Sequence, residues 1–138
     1  MIALPTFKDL CSMAEQNGIY IDYFQMNTCA IALNIEGEYF IALNQHLSPI
    51  KLKEALAHEL GHCFTRGFYS ISTPFRTISY IEASAYKWEF NVLLPVAWIN
   101  ERIEKGYEAL WQFAEEAQVS IELVEKAMKY YSMTGQLI

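Results

Sequence analysis

Histidine and cysteine, the side chains that most often bind zinc, are scarce in this chain, with three of each among 138 residues. Cys11, Cys29 and Cys63 are widely spaced and include no CxxC pair. An odd number of cysteines in this spacing is typical neither of a disulfide framework nor of a zinc ribbon. We therefore expect a protein of the reducing cytoplasm, in which any metal or nucleophile site has few residues to draw on.

Positive charge and long apolar runs are also in short supply. The chain has 10 basic residues against 16 acidic ones and a net charge of -6, whereas proteins that hold phosphate backbones usually present a basic face. The longest apolar stretch, at 92–99, is interrupted by Pro95 and falls far short of the roughly 20 residues that cross a bilayer. Residues 1–10 lack the basic start and apolar run of a signal sequence. We expect no direct nucleic-acid partner and no membrane partner.

Apolar residues, by contrast, are plentiful: they make up 53% of the chain and are spread along its whole length. This composition excludes a disordered protein. A chain of this length buries about two-thirds of the surface that its unfolded state exposes. The sequence thus predicts one domain over residues 1–138, with a core that needs no metal to hold it together. A metal bound here would serve function.

The residue patterns predict an α+β fold with the strands near the amino end. Helical spacing of apolar residues predicts a first helix that stops at Gly18. β-branched and aromatic runs predict strands at 19–24, 29–35 and 38–43, with a tight turn at Glu36 and Gly37, and we expect them to form a small antiparallel sheet. Further helices are predicted at 48–66, capped by Gly67, and at 79–94, 96–104, 107–117 and 120–131.

The helix predicted at 48–66 contains the sequence HELGH at 58–62, an HExxH motif. Residues four apart lie on one face of an α-helix, so both imidazoles can reach one metal ion. Glu59 then lies beside the ion, where its carboxylate can take a proton from a water that the ion activates. The motif predicts a zinc hydrolase with His58 and His62 as ligands and Glu59 as the catalytic base.

A zinc hydrolase needs a third protein ligand and leaves the fourth position to water or substrate. No histidine follows His62, which excludes the metzincin pattern HExxHxxGxxH, and both aspartates lie upstream of the motif. A downstream glutamate must therefore complete the set. Glu82 lies 20 residues after His62, near the start of the next predicted helix, and Glu89 lies on nearly the same face two turns later. Glu101 and later glutamates are further candidates.

The two motif regions together resemble those of a known metallopeptidase family. HELGH at 58–62, followed by EASAYKW at 82–88 and LLP at 93–95, is similar to the ImmA/IrrE family, whose second motif reads approximately ExxANxxAxxLLxP. The resemblance covers about residues 40–100. It implies a gluzincin-like zinc site in which Glu82 is the third ligand beside His58 and His62, with Glu59 as the base. In fold it agrees with a small antiparallel sheet packed on a zincin-like core of two motif-bearing helices, followed by a helical C-terminal part.

The second motif departs from the family pattern at two positions. Tyr86 stands where the family usually has asparagine, and Glu89 stands where alanine is common. These differences put in question the contacts around the ligands or the substrate preference, and not the three metal ligands themselves.

The resemblance implies a cytoplasmic zinc endopeptidase of phage or mobile-element type. Its substrate would be a helix-turn-helix transcriptional repressor of a mobile element or stress regulon, and attraction between an acidic protease and a basic repressor agrees with this. The alternative is a non-catalytic binding module that keeps the zinc-site fold only to dock on a repressor, as in a toxin–antitoxin pair. The intact HELGH and Glu82 favour the enzyme, because a docking module has no use for Glu59.

The sequence leaves open which residue stabilises the transition state. His46, Tyr69, Tyr80 and Tyr86 each lie near the motifs and are able to donate a hydrogen bond to a developing oxyanion. Cys63 adjoins His62, but successive helical residues point about 100° apart. We expect Cys63 to belong to the core.

Overall fold

A helix, three strands and five further helices follow one another along residues 2–138, the part of the chain that this computed structural model describes. Residue 1 of the predicted domain lies outside the described residues. The order of the elements confirms the predicted α+β class with a helical C-terminal part. The elements are α1 (Phe7–Gln16), β1 (Tyr20–Phe24), β2 (Ala30–Ile35), β3 (Glu38–Asn44), α2 (Pro49–Thr65), α3 (Phe75–Leu93), α4 (Val96–Glu104), α5 (Leu110–Ala117) and α6 (Ile121–Met133).

The three strands form one sheet in the order β1-β3-β2, which leaves β2 at an edge. The hairpin of β2 and β3 is antiparallel, as predicted, and turns at Glu36 and Gly37, whose φ angles of 52° and 85° are those of a tight hairpin turn. The prediction of a wholly antiparallel sheet is wrong, because β1 pairs with β3 in parallel. The loop after β1 passes the end of β3, where the Asn44 side-chain amide donates to the carbonyls of Met26 and Thr28. This crossing places β1 and β2 on opposite edges.

Helix α2 begins and ends with recognisable caps. The Ser48 hydroxyl accepts a hydrogen bond from the Lys51 N–H, and Pro49 occupies the first helical position, which suits a residue without an N–H. At the other end Arg66, and not the predicted Gly67, is the capping residue and adopts a left-handed φ of 57°. The predicted cap is therefore displaced by one residue, which leaves Gly67 free for a role at the site described below.

Helices α2 and α3 approach until their backbones touch. A Cβ atom placed on Gly61 would lie 2.7 Å from the carbonyl oxygen of Ala85, a separation that real side chains do not tolerate. Glycine and alanine at the crossing thus set the short distance between the helices. Helix α3 begins at Phe75, four residues before its predicted start, because Pro74 leads directly into its first turn.

The C-terminal helices are tied to α2. The Lys53 ammonium donates to the carbonyl of Ala117 at 3.0 Å, and the Glu54 carboxylate accepts from both the N–H and the hydroxyl of Ser120. Helix α2 also contacts β2, β3 and α1, so it lies at the centre of the molecule, with the first motif on it and the second on the adjacent α3. Helix α5 starts three residues later than predicted, and α4 has its predicted bounds. None of the helices described within residues 2–138 combines the length and apolar character that a bilayer crossing requires.

Candidate metal centre

Two histidines of α2 and one glutamate of α3 point to the same small space. The Nε2 atom of His58 lies 2.8 Å from Oε1 of Glu82, and the Nε2 atom of His62 lies 3.2 Å from Oε2 of the same carboxylate. One ligand atom from each of the three residues lies within 4.8 Å of the other two. The structure thus brings together the three residues that the sequence singles out as metal ligands.

The chemistry of this cluster fits a divalent metal ion. Two imidazole nitrogens and one carboxylate form the donor set of many zinc hydrolases, in which a fourth position stays open to water or substrate. The Glu82 side chain is 30% exposed, so the cluster opens to solvent on the side of the carboxylate. His62, by contrast, is buried, and the ligands are therefore anchored in the core while their tips face a cleft.

The second ring nitrogen of each histidine also has a partner. Nδ1 of His58 lies 3.0 Å from Oε1 of Glu89, and Nδ1 of His62 lies 2.6 Å from the carbonyl oxygen of Gly67. Contacts of this kind fix the orientation of an imidazole that binds metal through its other nitrogen. Glu89, the alternative third ligand of the sequence analysis, therefore lies on the far side of His58 from Glu82 and outside the cluster.

The role of Gly67 is one that the sequence does not reveal. The Gly67 carbonyl oxygen contacts Nδ1 of His62, and the Gly67 N–H donates a hydrogen bond to the His62 carbonyl at 2.9 Å. A Cβ atom at position 67 would lie 2.9 Å from the Ile81 side chain. A side chain at position 67 would therefore have to displace Ile81 of α3. No sequence pattern could have identified the contact, because the atom that touches the imidazole belongs to the main chain.

The charges around the cluster favour a cation. Burial by itself lowers the pKa of His58, but hydrogen bonds to Glu89 and Glu82 outweigh burial and raise it to about 9. Burial raises the pKa of Glu82, while hydrogen bonds from Tyr69 and His58 lower it, with a net decrease. Positive charge on the His58 ring is thus stabilised by the carboxylates on its two sides.

Glu59 lies beside the cluster without entering it. Its carboxylate faces the backbone N–H of Ala32 on β2, and burial raises its pKa despite the lowering effect of the nearby histidines. A general base is most effective when its pKa lies close to the working pH. The position and environment of Glu59 are therefore those expected of a proton acceptor next to a metal ion.

Two cavities of about 390 Å³ and 300 Å³ flank the cluster and share Ala30, His58 and Glu59 in their walls. The larger extends between α2 and α6, and the smaller is lined by residues 30–33 of β2 and by the loop after α2. Together they form a cleft that runs along the edge strand past the histidines. A cleft of this kind can receive an extended polypeptide.

The structure separates the four residues suggested as oxyanion donors. The Tyr69 hydroxyl donates to Oε2 of Glu82 at 2.7 Å, and the Tyr86 ring packs against His58 with 4.3 Å between the centroids. Tyr80 is 74% exposed and lines a separate cavity beside Arg66. Tyr69 and Tyr86 therefore lie at the site, and Tyr80 lies outside it.

His46 and Cys63 are not part of the cluster of His58, His62 and Glu82. His46 is exposed, and its contacts are with its neighbours Gln45 and Asn44. Cys63 is buried in the hydrophobic core, where burial raises the pKa of its thiol to about 12. The prediction that Cys63 is a core residue is confirmed.

Comparison with known proteins gives one family. The model of the IrrE N-terminal-like domain, of peptidase family M78, matches residues 14–129. The matched segment contains both motifs and every residue of the cluster. No curated protein matches the chain.

Proposed function

This chain belongs to the peptidase M78 family, a family of metallopeptidase-type hydrolases, and from that premise we propose that it is a zinc-dependent endopeptidase. The observation that carries the proposal is the convergence of His58, His62 and Glu82 within 4.8 Å, with Glu59 beside them at the cleft. Family membership agrees with the resemblance to ImmA/IrrE. We take residues 1–138 as one catalytic domain.

In this proposal three side chains hold the ion. His58 and His62 bind through Nε2 and Glu82 through a carboxylate oxygen, which are the atoms that face one another. Bound zinc supplies Lewis acidity, which polarises the scissile carbonyl and lowers the pKa of a water molecule. The contacts of the other ring nitrogens, with Glu89 and the Gly67 carbonyl, hold the imidazoles in place.

Glu59 carries the proton. It accepts a proton from the attacking water as the water oxygen bonds to the carbonyl carbon, and it then delivers that proton to the amide nitrogen as the C–N bond breaks. Burial raises the pKa of Glu59, which makes its carboxylate a better proton acceptor than a fully solvated one.

Tyr69 is the residue that we assign to the developing oxyanion. Its hydroxyl lies at the edge of the ligand set, 2.7 Å from Oε2 of Glu82, and its side chain is 46% exposed at the cleft. A donor in this position can turn from the carboxylate to a substrate oxygen. Tyr86 packs its ring against His58 at an interplanar angle of 54° and is a less suitable donor.

The edge of β2 is the surface on which we place the substrate. One side of β2 is paired with β3 and the other is free, and residues 30–33 line the cavity beside the ligands. An extended peptide pairing with this free edge would pass Glu59 and the histidines. This arrangement supports cleavage within a chain, because the cleft continues on both sides of the cluster.

For the substrate we propose a helix-turn-helix repressor of a mobile element, phage or stress regulon, cleaved in the cytoplasm. The proposal is supported by the resemblance to the ImmA/IrrE family and by the net charge of -6, which attracts a basic DNA-binding protein. The three cysteines are all free, which agrees with a reducing compartment.

Cleavage of the repressor encoded beside this protein tests the function. The zinc-loaded protein, Glu59→Gln and the control Glu115→Gln, which changes an exposed glutamate of α5, are each incubated with the repressor. The wild type and the control should cleave it, whereas Glu59→Gln should retain the metal and lose a factor of about 100 or more in rate. Cleavage by Glu59→Gln at the wild-type rate would exclude Glu59 as the catalytic base.

The same assay separates the enzyme from the docking module. A non-catalytic module would form a tight complex with the repressor, leave it intact, and bind it equally well as Glu59→Gln. The half-buried position of Glu59 beside the histidines, in the wall of both cavities, favours the enzyme, since a docking surface gains nothing from a carboxylate that is partly removed from water.

A further inference from the structure

Both positions at which the second motif departs from the family pattern contact the same histidine. The Tyr86 ring lies against His58 with 4.3 Å between the centroids, and the Glu89 carboxylate lies 3.0 Å from His58 Nδ1. His62 has a different kind of support, because its Nδ1 atom faces a main-chain carbonyl. The contacts of Tyr86 and Glu89 described here are thus with His58 and not with His62.

The burial of the Glu89 carboxylate is unfavourable for folding. Glu89 is 2% exposed, and within residues 2–138 the hydrogen bond that its carboxylate makes is the one with His58. A buried carboxylate destabilises a fold unless it is paired and hydrogen-bonded. Its placement on the face of α3 that meets the HExxH helix is therefore best explained by what it does for His58.

A histidine that binds metal through Nε2 must carry its proton on Nδ1 and must keep its ring plane directed at the ion. A carboxylate at Nδ1 accepts that proton's hydrogen bond and favours the required tautomer. The Tyr86 ring packs against the imidazole and restricts its tilt, and the Lys126 ammonium lies over the same tyrosine ring, 4.9 Å from its centroid. Together they determine both the tautomer and the orientation of His58.

We propose that Glu89, with Tyr86 against the ring, is a positioning residue that presents His58 Nε2 to the metal ion and so raises the affinity of the site. The inference rests on the proposed function and assigns a role to the two residues that set this chain apart from the family pattern. It predicts that metal affinity depends on Glu89 even though Glu89 is not a ligand.

Zinc affinity and the cobalt spectrum test this proposal without recourse to activity. Glu89→Ala removes the acceptor, Glu89→Gln keeps a neutral oxygen in its place, and Leu93→Ala serves as a control that shortens a buried side chain one turn further along α3. The dissociation constant for zinc is measured by competition with a chromophoric chelator. The visible absorption of the cobalt-substituted protein reports the ligand geometry.

Glu89→Ala should bind zinc about 10- to 100-fold more weakly than the wild type and should shift the cobalt bands. Glu89→Gln should lose less, because a neutral amide oxygen accepts a weaker hydrogen bond than a carboxylate. Leu93→Ala should unfold at a lower urea concentration and yet bind both metals as the wild type does. A merely structural role for Glu89 would instead give the behaviour of the control.

Wild-type zinc affinity and an unchanged cobalt spectrum in the Glu89 variants would overturn the proposal. If Glu89→Ala fails to fold, Glu89→Gln decides alone: weaker zinc binding supports the proposal and unchanged binding overturns it. The failure of the proposed function looks different, since the wild type itself would then either take up neither zinc nor cobalt or bind the metal and leave the repressor uncut.

Discussion

At the scale of single residues, the two imidazoles of the site are held by unlike partners. His62 Nδ1 contacts the main-chain carbonyl of Gly67, an oxygen that a side-chain substitution does not delete. His58, by contrast, contacts two side chains, the Glu89 carboxylate and the Tyr86 ring. A main-chain support is present whatever the side chain, and a side-chain support is open to change by mutation. Under our proposal, substitutions at Glu89 or Tyr86 therefore change the metal affinity through His58, while the contact of His62 with the Gly67 carbonyl stays as it is.

Tyr69→Phe tests the oxyanion assignment at this scale. Loss of the hydroxyl should lower kcat by about 100-fold or more, as for other oxyanion donors, with little change in KM, because the donor acts only when negative charge develops. Steady-state kinetics on a repressor-derived peptide provide the measurement. Tyr80→Phe, an exposed tyrosine outside the site, is the control, and a kcat in Tyr69→Phe equal to that of the control would remove Tyr69 from the mechanism.

The residue identities were predictable to different degrees. The spacing of HExxH was sufficient to select His58, Glu59 and His62, because one helix fixes their relative positions. Glu82 and Glu89 lie on nearly the same face of the next helix, so spacing could not decide between them. Only the register of α3 against α2 places Glu82 at the Nε2 atoms and Glu89 at Nδ1 of His58.

At the scale of elements, the site depends on one helix crossing. Gly61 occupies one of the two variable positions of the HExxH motif, and its lack of a side chain lets α2 meet the backbone of α3 at Ala85. That crossing sets the distance from the two histidines to Glu82. The glycine of the motif is thus a determinant of ligand geometry, although it binds nothing itself.

Gly61→Ala should therefore damage both stability and metal binding. The added methyl would lie 2.7 Å from the Ala85 carbonyl oxygen, and overpacking of this kind costs about 1–3 kcal/mol, offset by about 1 kcal/mol of gained helix propensity. We expect a lower free energy of unfolding in urea and weaker zinc binding. Thr77→Ala, an exposed change on α3, should alter neither, and a Gly61→Ala protein equal to it in both respects would refute the close-approach argument.

The elements were predicted better than their arrangement. Apolar periodicity and turn residues identified every helix and strand, because these signals are local. The direction of β1 was missed, since it depends on the loop that Asn44 holds across the end of β3. The sequence predicts Gly67 as the cap of α2, because glycine usually takes the left-handed conformation at a helix end. In the structure Arg66 adopts that conformation.

At the scale of the whole molecule, the core is held together by apolar contacts that do not involve the clustered side chains of His58, His62 and Glu82. The sheet and α1 contact α2, and the C-terminal helices are tied to it by Lys53 and Glu54. A continuous cluster of buried apolar residues, including Leu56, Leu60 and Trp98, spans these layers. The fold consequently does not depend on the ligands, and substitution of a ligand should remove the metal without unfolding the chain.

The zinc content of the purified protein, measured by native mass spectrometry, tests the central claim most directly. The wild type and Glu59→Gln should each carry one zinc per chain, because Glu59 is not a ligand. His62→Ala should remain folded, as judged by helical circular dichroism, and should carry none. A folded His62→Ala protein that keeps its zinc, or a wild type that binds none when zinc is supplied, would contradict the assignment of His58, His62 and Glu82 as the metal site.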